Sequence, residues 1–79
     1  MINDYYVEEQ MRISYKRLWK LLIDKDMKKR DLEQIADISH YTVGKLTRGE
    51  NVTVDVLARI CQALNCTMDE ILEIYDDHQ

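Results

Sequence analysis

The sequence predicts an all-α domain of five short helices, the second and third joined as a helix-turn-helix. Three observations carry that expectation. Apolar residues recur at i, i+3, i+4, i+7 spacing in successive stretches. Asp37-Ile38-Ser39 separates two such stretches as a tight turn ending in a capping residue. The 79 residues include no Pro and only two Gly, so little interrupts a helical segment. A chain of this size makes one domain, close to the lower limit for a core that stands without disulfides or metal.

Along the chain, residues 1–12 show no convincing pattern and are expected to form an N-terminal arm. Met11, Ile13 and Tyr15 alternate with Arg12, Ser14 and Lys16, a period-2 trace too short to define a strand by itself. Ser14 is expected to cap helix 1. The apolar face of that helix is Tyr15, Leu18, Trp19, Leu22 and Ile23, and Lys16, Arg17, Lys20, Asp24 and Lys25 take the opposite side. Helix 2 turns Leu32, Ile35 and Ala36 inward. Ser39 caps helix 3, whose inward residues are Val43 and Leu46, and Gly49 in the following loop is expected at positive φ. Thr53 caps helix 4, which buries Val54 or Val56, then Leu57, Ile60, Cys61 and Leu64. Thr67 and Glu70 have the spacing of a capping box for helix 5, with Met68, Ile71, Leu72 and Tyr75 on one face. The domain proper is expected over 13–75, with 76–79 an acidic tail.

Composition excludes several classes of function. No run of about 18 apolar residues is present to cross a membrane, and the acidic Met1–Tyr6 segment lacks the apolar stretch of a signal peptide, so a cytoplasmic protein is expected. Cys61 lies on the apolar face of helix 4 and Cys66 at its end, without the paired Cys or His that zinc requires, so both read as structural thiols. His40 and His78 have no cluster of ligands or triad partners around them, and no glycine-rich phosphate loop occurs. Neither metal, cofactor nor catalytic activity is expected.

The formal net charge of −4 speaks, as a total, against a polyanionic partner. Its distribution speaks for one. Ten of the eleven Lys/Arg lie between Arg12 and Arg48, giving +5 over residues 12–48 against −3 before and −6 after. A phosphate responds to charge within about a Debye length, roughly 8–10 Å, rather than to the molecular total. Lys28, Lys29 and Arg30 crowd the N-terminus of helix 2, where unpaired N–H groups and the helix dipole already favour an anion, so they are candidate phosphate contacts.

The segment 29–46 also meets the local demands of a helix-turn-helix. Its first helix offers an apolar face, Asp37 can adopt a left-handed backbone at modest cost, Ile38 plugs the core, and Ser39 caps. The next helix buries two residues three apart, leaving His40, Tyr41, Thr42, Gly44 and Lys45 outward. Gly44 costs about 1 kcal/mol relative to Ala in mid-helix, and two readings stay open: close helix packing, or close approach to a nucleic-acid backbone or base methyl.

Arg17-Leu18-Trp19-Lys20-Leu21-Leu22-Ile23-Asp24, Leu32 through Leu46, Gly49-Glu50-Asn51-Val52-Thr53 and Leu57-x-x-Ile60-Cys61-x-x-Leu64 together resemble the Cro-like (XRE, phage-repressor) helix-turn-helix regulators. The resemblance runs from about Ile13 to Tyr75, roughly four-fifths of the chain. It implies a five-helix domain whose third helix reads double-stranded DNA in the major groove, and a transcriptional regulator of repressor type. Carried over by position, Ser39, His40, Tyr41, Thr42 and Lys45 become base-reading candidates. Thr42 suits a thymine methyl, and Lys45 suits guanine O6/N7 or a phosphate. Arg48 and Asn51, flanking the loop after helix 3, become further phosphate candidates. Glu33 stands where many of the family have Ala, and Asp37 where they have Gly; both acids lower the expected affinity.

One such unit covers one half-site, so a homodimer is expected, with half-sites about 34 Å apart. Ile71, Ile74 and Tyr75 are the dimer candidates, with the outer edge of helix 4 and Tyr5-Tyr6-Val7 as alternatives. Two other readings stand beside the regulator. One is an antitoxin that binds both an operator and a toxin partner; the other is a protein-interaction module that keeps the fold without DNA binding.

Overall fold

Helical spacing becomes helix at four of the five expected places. The computed structural model describes residues 11–76. Strand β1 (Met11–Ser14) is followed by α1 (Lys16–Asp24), α2 (Lys29–Ala36), α3 (His40–Thr47) and α4 (Val54–Leu64). A single 3₁₀ turn (Met68–Glu70) then leads into β2 (Glu73–Asp76). Tyr5-Tyr6-Val7 and His78 lie outside the described residues.

The fifth helix is therefore a correction, and with it the all-α class: a two-stranded antiparallel sheet closes the domain. Ile13 pairs with Ile74 and Ser14 with Glu73, and Met11 pairs with Asp76. The sheet thus draws in both the end of the expected arm and the start of the expected tail. The capping box does form, with the Thr67 N–H donating to Glu70 Oε1 at 2.8 Å, but it caps one turn only. Beyond it, β-branched and aromatic residues take up the extended backbone that the period-2 trace in β1 can pair with. Ser14 ends β1 instead of capping α1; its hydroxyl accepts from the Lys16 N–H at 3.3 Å, and Tyr15 is the N-cap residue.

One fully buried side chain from each of the four helices, Leu18, Leu32, Leu46 and Ile60, forms the centre of the core with Ile71, the residue directly after the 3₁₀ turn. Tyr15, Leu22, Ala36 and Leu64 surround them, with Ile13, Trp19, Val56, Leu57 and both cysteines packed at the margin. Of the alternatives Val54 and Val56, Val56 packs against the core; Ile23 and Ile35, expected inside, are exposed. Each of these two sits at the edge of its apolar stripe, where the short helix has no neighbour to cover it. Ser39 and Thr53 cap as expected, accepting from the N–H groups of Thr42 and Val56.

All four helices end alike. Asp26, Asp37, Gly49 and Asn65 adopt positive φ. The N–H of the next residue then donates back five positions, from Met27 to Leu22, Ile38 to Glu33, Glu50 to Lys45 and Cys66 to Cys61, at 2.8–3.1 Å. This closure satisfies terminal carbonyls and tucks the following residue against the helix end.

Two outcomes follow from this packing. Ile71→Ala is expected to lower unfolding free energy by about 2–5 kcal/mol, and Ile74→Ala by far less, in urea titrations at fixed protein concentration. The Cys66 thiol is pushed up from 9.0 to about 11 by burial and by the neighbouring Cys61 thiol. Its protonated form stabilises the fold fully below the unfolded value, and that contribution is lost as pH rises through the folded one. At pH 8, iodoacetamide should modify Cys66 at least about tenfold more slowly in the folded than in the urea-unfolded chain.

Candidate nucleic-acid interface

The turn between α2 and α3 is built from its sequence upward. Asp37 takes φ 56°, ψ 51°, which sends Ile38 towards the core and places Ser39 to cap α3. The Ser39 hydroxyl accepts from the Thr42 N–H at 3.0 Å and donates to Thr42 Oγ1 at 2.9 Å. Arg59 of α4 donates from Nη1 to the Asp37 carbonyl at 3.2 Å and reaches Asp37 Oδ2 at 3.4 Å. The one basic residue outside the 12–48 segment thus braces the turn.

With Val43 and Leu46 buried, α3 turns its opposite side to solvent. Tyr41 is 72 % exposed there, with Lys45 Nζ 5.8 Å from the centre of its ring. His40 starts the helix, and its Nδ1 lies 2.8 Å from Glu33 Oε2 on α2. Between α2 and α3 runs a depression of about 360 Å³, lined by Lys29, Arg30, Glu33, His40, Gly44 and Arg48 among others. At its far end, Arg48 Nε donates to Glu50 Oε2 at 2.7 Å. That hydrogen bond and the attached charge hold the Glu50 carboxyl below its ordinary range and the Arg48 guanidinium above its own.

The base-reading candidates divide into two groups. His40, Tyr41 and Lys45 occupy the outward side, whereas Ser39 and Thr42 are engaged with each other as the cap. The phosphate candidates divide as well. Lys28 and Arg30 are exposed, as is Asn51 in the loop. Asp31 closes back on the Lys28 N–H at 2.8 Å, so part of the expected anion site at the α2 N-terminus is filled from within the chain. Lys29 is a strut: its Nζ sits 4.4 Å from the Trp19 ring centre and donates to Thr47 Oγ1 at 3.0 Å. Arg48 is held by Glu50. Of the dimer candidates, Ile74 and Tyr75 are exposed on β2, but Ile71 has no surface to offer a second copy.

The partners of Glu33, Thr47 and Glu50 escaped the sequence reading, which weighed Glu33 only as an opposing charge, although these three residues order His40, Lys29 and Arg48 on this face. Those partners lie seven residues on, eighteen back and two back respectively. None of those offsets is a helical neighbour. Gly44, by contrast, has a simple local explanation. A Cβ there would meet only Arg48 Nη1, at 3.3 Å, so neither helix packing nor backbone crowding accounts for it.

Residues 17–77 match the sequence profile of the Cro/C1-type HTH DNA-binding domain. Among solved structures, the chain is similar to the transcriptional regulator VanUg (crystal form II), with 48 % identity and a TM-score of 0.81. That likeness covers 85 % of this chain and 89 % of the other. No curated protein matches the chain.

The left-handed Asp37 supplies a direct check on the turn. Asp37→Gly is expected to raise unfolding free energy by about 0.5–1 kcal/mol, by relieving the backbone, since the exposed Arg59–Asp37 ion pair contributes little. A thermal melt that falls would show that the carboxylate matters more than the backbone.

Proposed function

The chain belongs to the Cro/C1-type helix-turn-helix DNA-binding family, and from that premise we propose that it is a sequence-specific transcriptional regulator of repressor type. It reads the major groove with the outward side of α3, as a homodimer on paired half-sites. Tyr41, Lys45 and His40 face the base edges, and Lys28, Arg30 and Asn51 hold the flanking phosphates. Lys29, held between Trp19 and Thr47, contributes field more than contact. Ser39 and Thr42 set the pitch of α3 through the cap, and the Thr42 methyl remains a candidate for a thymine. Ile74 and Tyr75 supply the apolar surface on which a second copy would pair.

One observation carries this reading. The two acids that the sequence set against a DNA face, Glu33 and Asp37, are each engaged within the chain, Glu33 by a hydrogen bond with His40 and Asp37 by an ion pair with Arg59. Engaged within the chain in this way, they are held in place beside the cations along α2 and α3. Phosphate contacts of this kind position a protein, while base contacts select the sequence.

The test is binding to the DNA upstream of the protein's own coding sequence, with a scrambled duplex as control, titrated from 50 to 200 mM salt. Preference for the upstream DNA with a steep salt dependence is expected, the slope falling by about 0.9 for each phosphate contact removed. Lys28→Glu combined with Arg30→Glu should abolish binding while leaving the circular dichroism melt in place. Absence of binding at the lowest salt would assign the fold to a protein partner such as a toxin.

A further inference from the structure

Arg48 was expected at a phosphate, on its position beside the loop. Its geometry points elsewhere. Side chains on a helix lie over the turn N-terminal to their own Cα, and Arg48 follows that rule. Its Nη1 stands 3.3 Å from where a Gly44 Cβ would be, so the guanidinium lies back along the exposed side of α3. Glu50 occupies one edge of it, accepting from Nε at 2.7 Å and from Nη2 at 3.5 Å. The remaining edge, Nη1 with the second hydrogen of Nη2, is not taken up by Glu50. A guanidinium so held presents two parallel donors in a fixed plane, the arrangement that guanine O6 and N7 accept in the major groove.

We infer that Arg48 reads a guanine, with Glu50 as the positioning residue that fixes its plane and Gly44 as the gap that lets it lie flat on the helix. The inference rests on the proposed DNA-binding function and assigns one letter within the site. Three otherwise separate features share this single account: a glycine in mid-helix, an arginine one turn later, and an acid two residues beyond on a face that a polyanion would approach. A simple phosphate contact requires neither the glycine nor the acid, since a flexible cation serves and a neighbouring carboxylate opposes it.

The experiment is selection from a randomised duplex pool by the full chain, repeated with Arg48→Lys and Glu50→Gln. The wild-type chain should enrich a guanine at one position per half-site, and Arg48→Lys should lose that preference by roughly 5- to 150-fold while keeping the others. Replacing that base with 7-deazaguanine, which lacks the N7 acceptor, should weaken the wild type but not Arg48→Lys. Glu50→Gln should bind scrambled DNA more tightly, having one acid fewer, yet discriminate less at the same guanine. Gly44→Ala should reduce the same preference while raising the melting temperature. If Arg48→Lys keeps every base preference and Arg48→Ala only lowers the salt slope, Arg48 is a phosphate contact and the assignment falls alone. If the wild-type chain enriches no sequence, the assignment falls together with the proposed function.

Discussion

The presentation of α3 depends on the packing of one fully buried side chain from each of the four helices against Ile71. Leu18, Leu32, Leu46, Ile60 and Ile71 meet at the centre, and Leu46 is the contribution of α3. A helix of eight residues has no stability of its own in water. Its place is set by Leu46 and Val43 on the inside and by the closures at its two ends. Tyr15 adds a brace from the far side of the core, its buried hydroxyl donating to the Glu50 carbonyl at 3.0 Å. Burial also raises the Tyr15 phenol above its usual range, which favours its donating form. The loop that carries Glu50, and through it the guanidinium of Arg48, is thus tied to the start of α1.

The helix ends are the second constraint. Four connections must reverse the chain within a few residues, and each does so with one left-handed residue followed by a back-bonded one. Only one of the four is glycine; the others are Asp26, Asp37 and Asn65, whose short polar side chains tolerate that region better than other non-glycine residues. Such turns keep connections short, so each helix enters the next contact with little freedom. In the second of them, the back-bonded Ile38 plugs the core directly before the Ser39 cap, which sets how α3 crosses α2. The recognition geometry is therefore a consequence of chain reversal chemistry as much as of core packing.

Much of this was legible in the sequence, and the parts that were not have a common cause. Helical spacing, the Ser39 and Thr53 caps, the left-handed Asp37 and Gly49 and the inward Val43 and Leu46 all follow from residues within about one or two helical turns of each other. Asp26 and Asn65 carried the same signal as Asp37, a short polar residue before an apolar one, but no motif drew attention to them. The β1–β2 pair joins residues some sixty positions apart, Ile13 with Ile74. A five-residue window around Tyr75 fits helical spacing as well as extended backbone, and only the distant partner decides. The side-chain ties at the site follow the same rule. Lys29 to Thr47 and Arg59 to Asp37 cross between elements, so cations that looked equivalent in the sequence divide into struts and free contacts only once the helices are assembled.

That division alters how the charge pattern should be weighed. Within the +5 segment over residues 12–48, not every positive charge is left open to a ligand. Arg17 donates to the Asp69 carbonyl at 2.8 Å and lies 3.7 Å from Glu73, holding the C-terminal turn on the side of α1. Lys29 is spent between Trp19 and Thr47, and Arg48 is matched by Glu50. Meanwhile the acids within the segment are drawn off in parallel: Asp31 into the α2 cap, Glu33 to His40, Asp37 to Arg59. The Arg48–Glu50 and Arg59–Asp37 pairs each take up one cation and one anion together, which leaves the net field of the face nearly unchanged while fixing the groups that make it. On the proposed function, a face built this way would attract phosphate through its total charge and discriminate through its fixed geometry. Local pairing thus accounts for the coexistence of a net acidic chain, several carboxylates on the recognition side and the family's DNA-binding architecture.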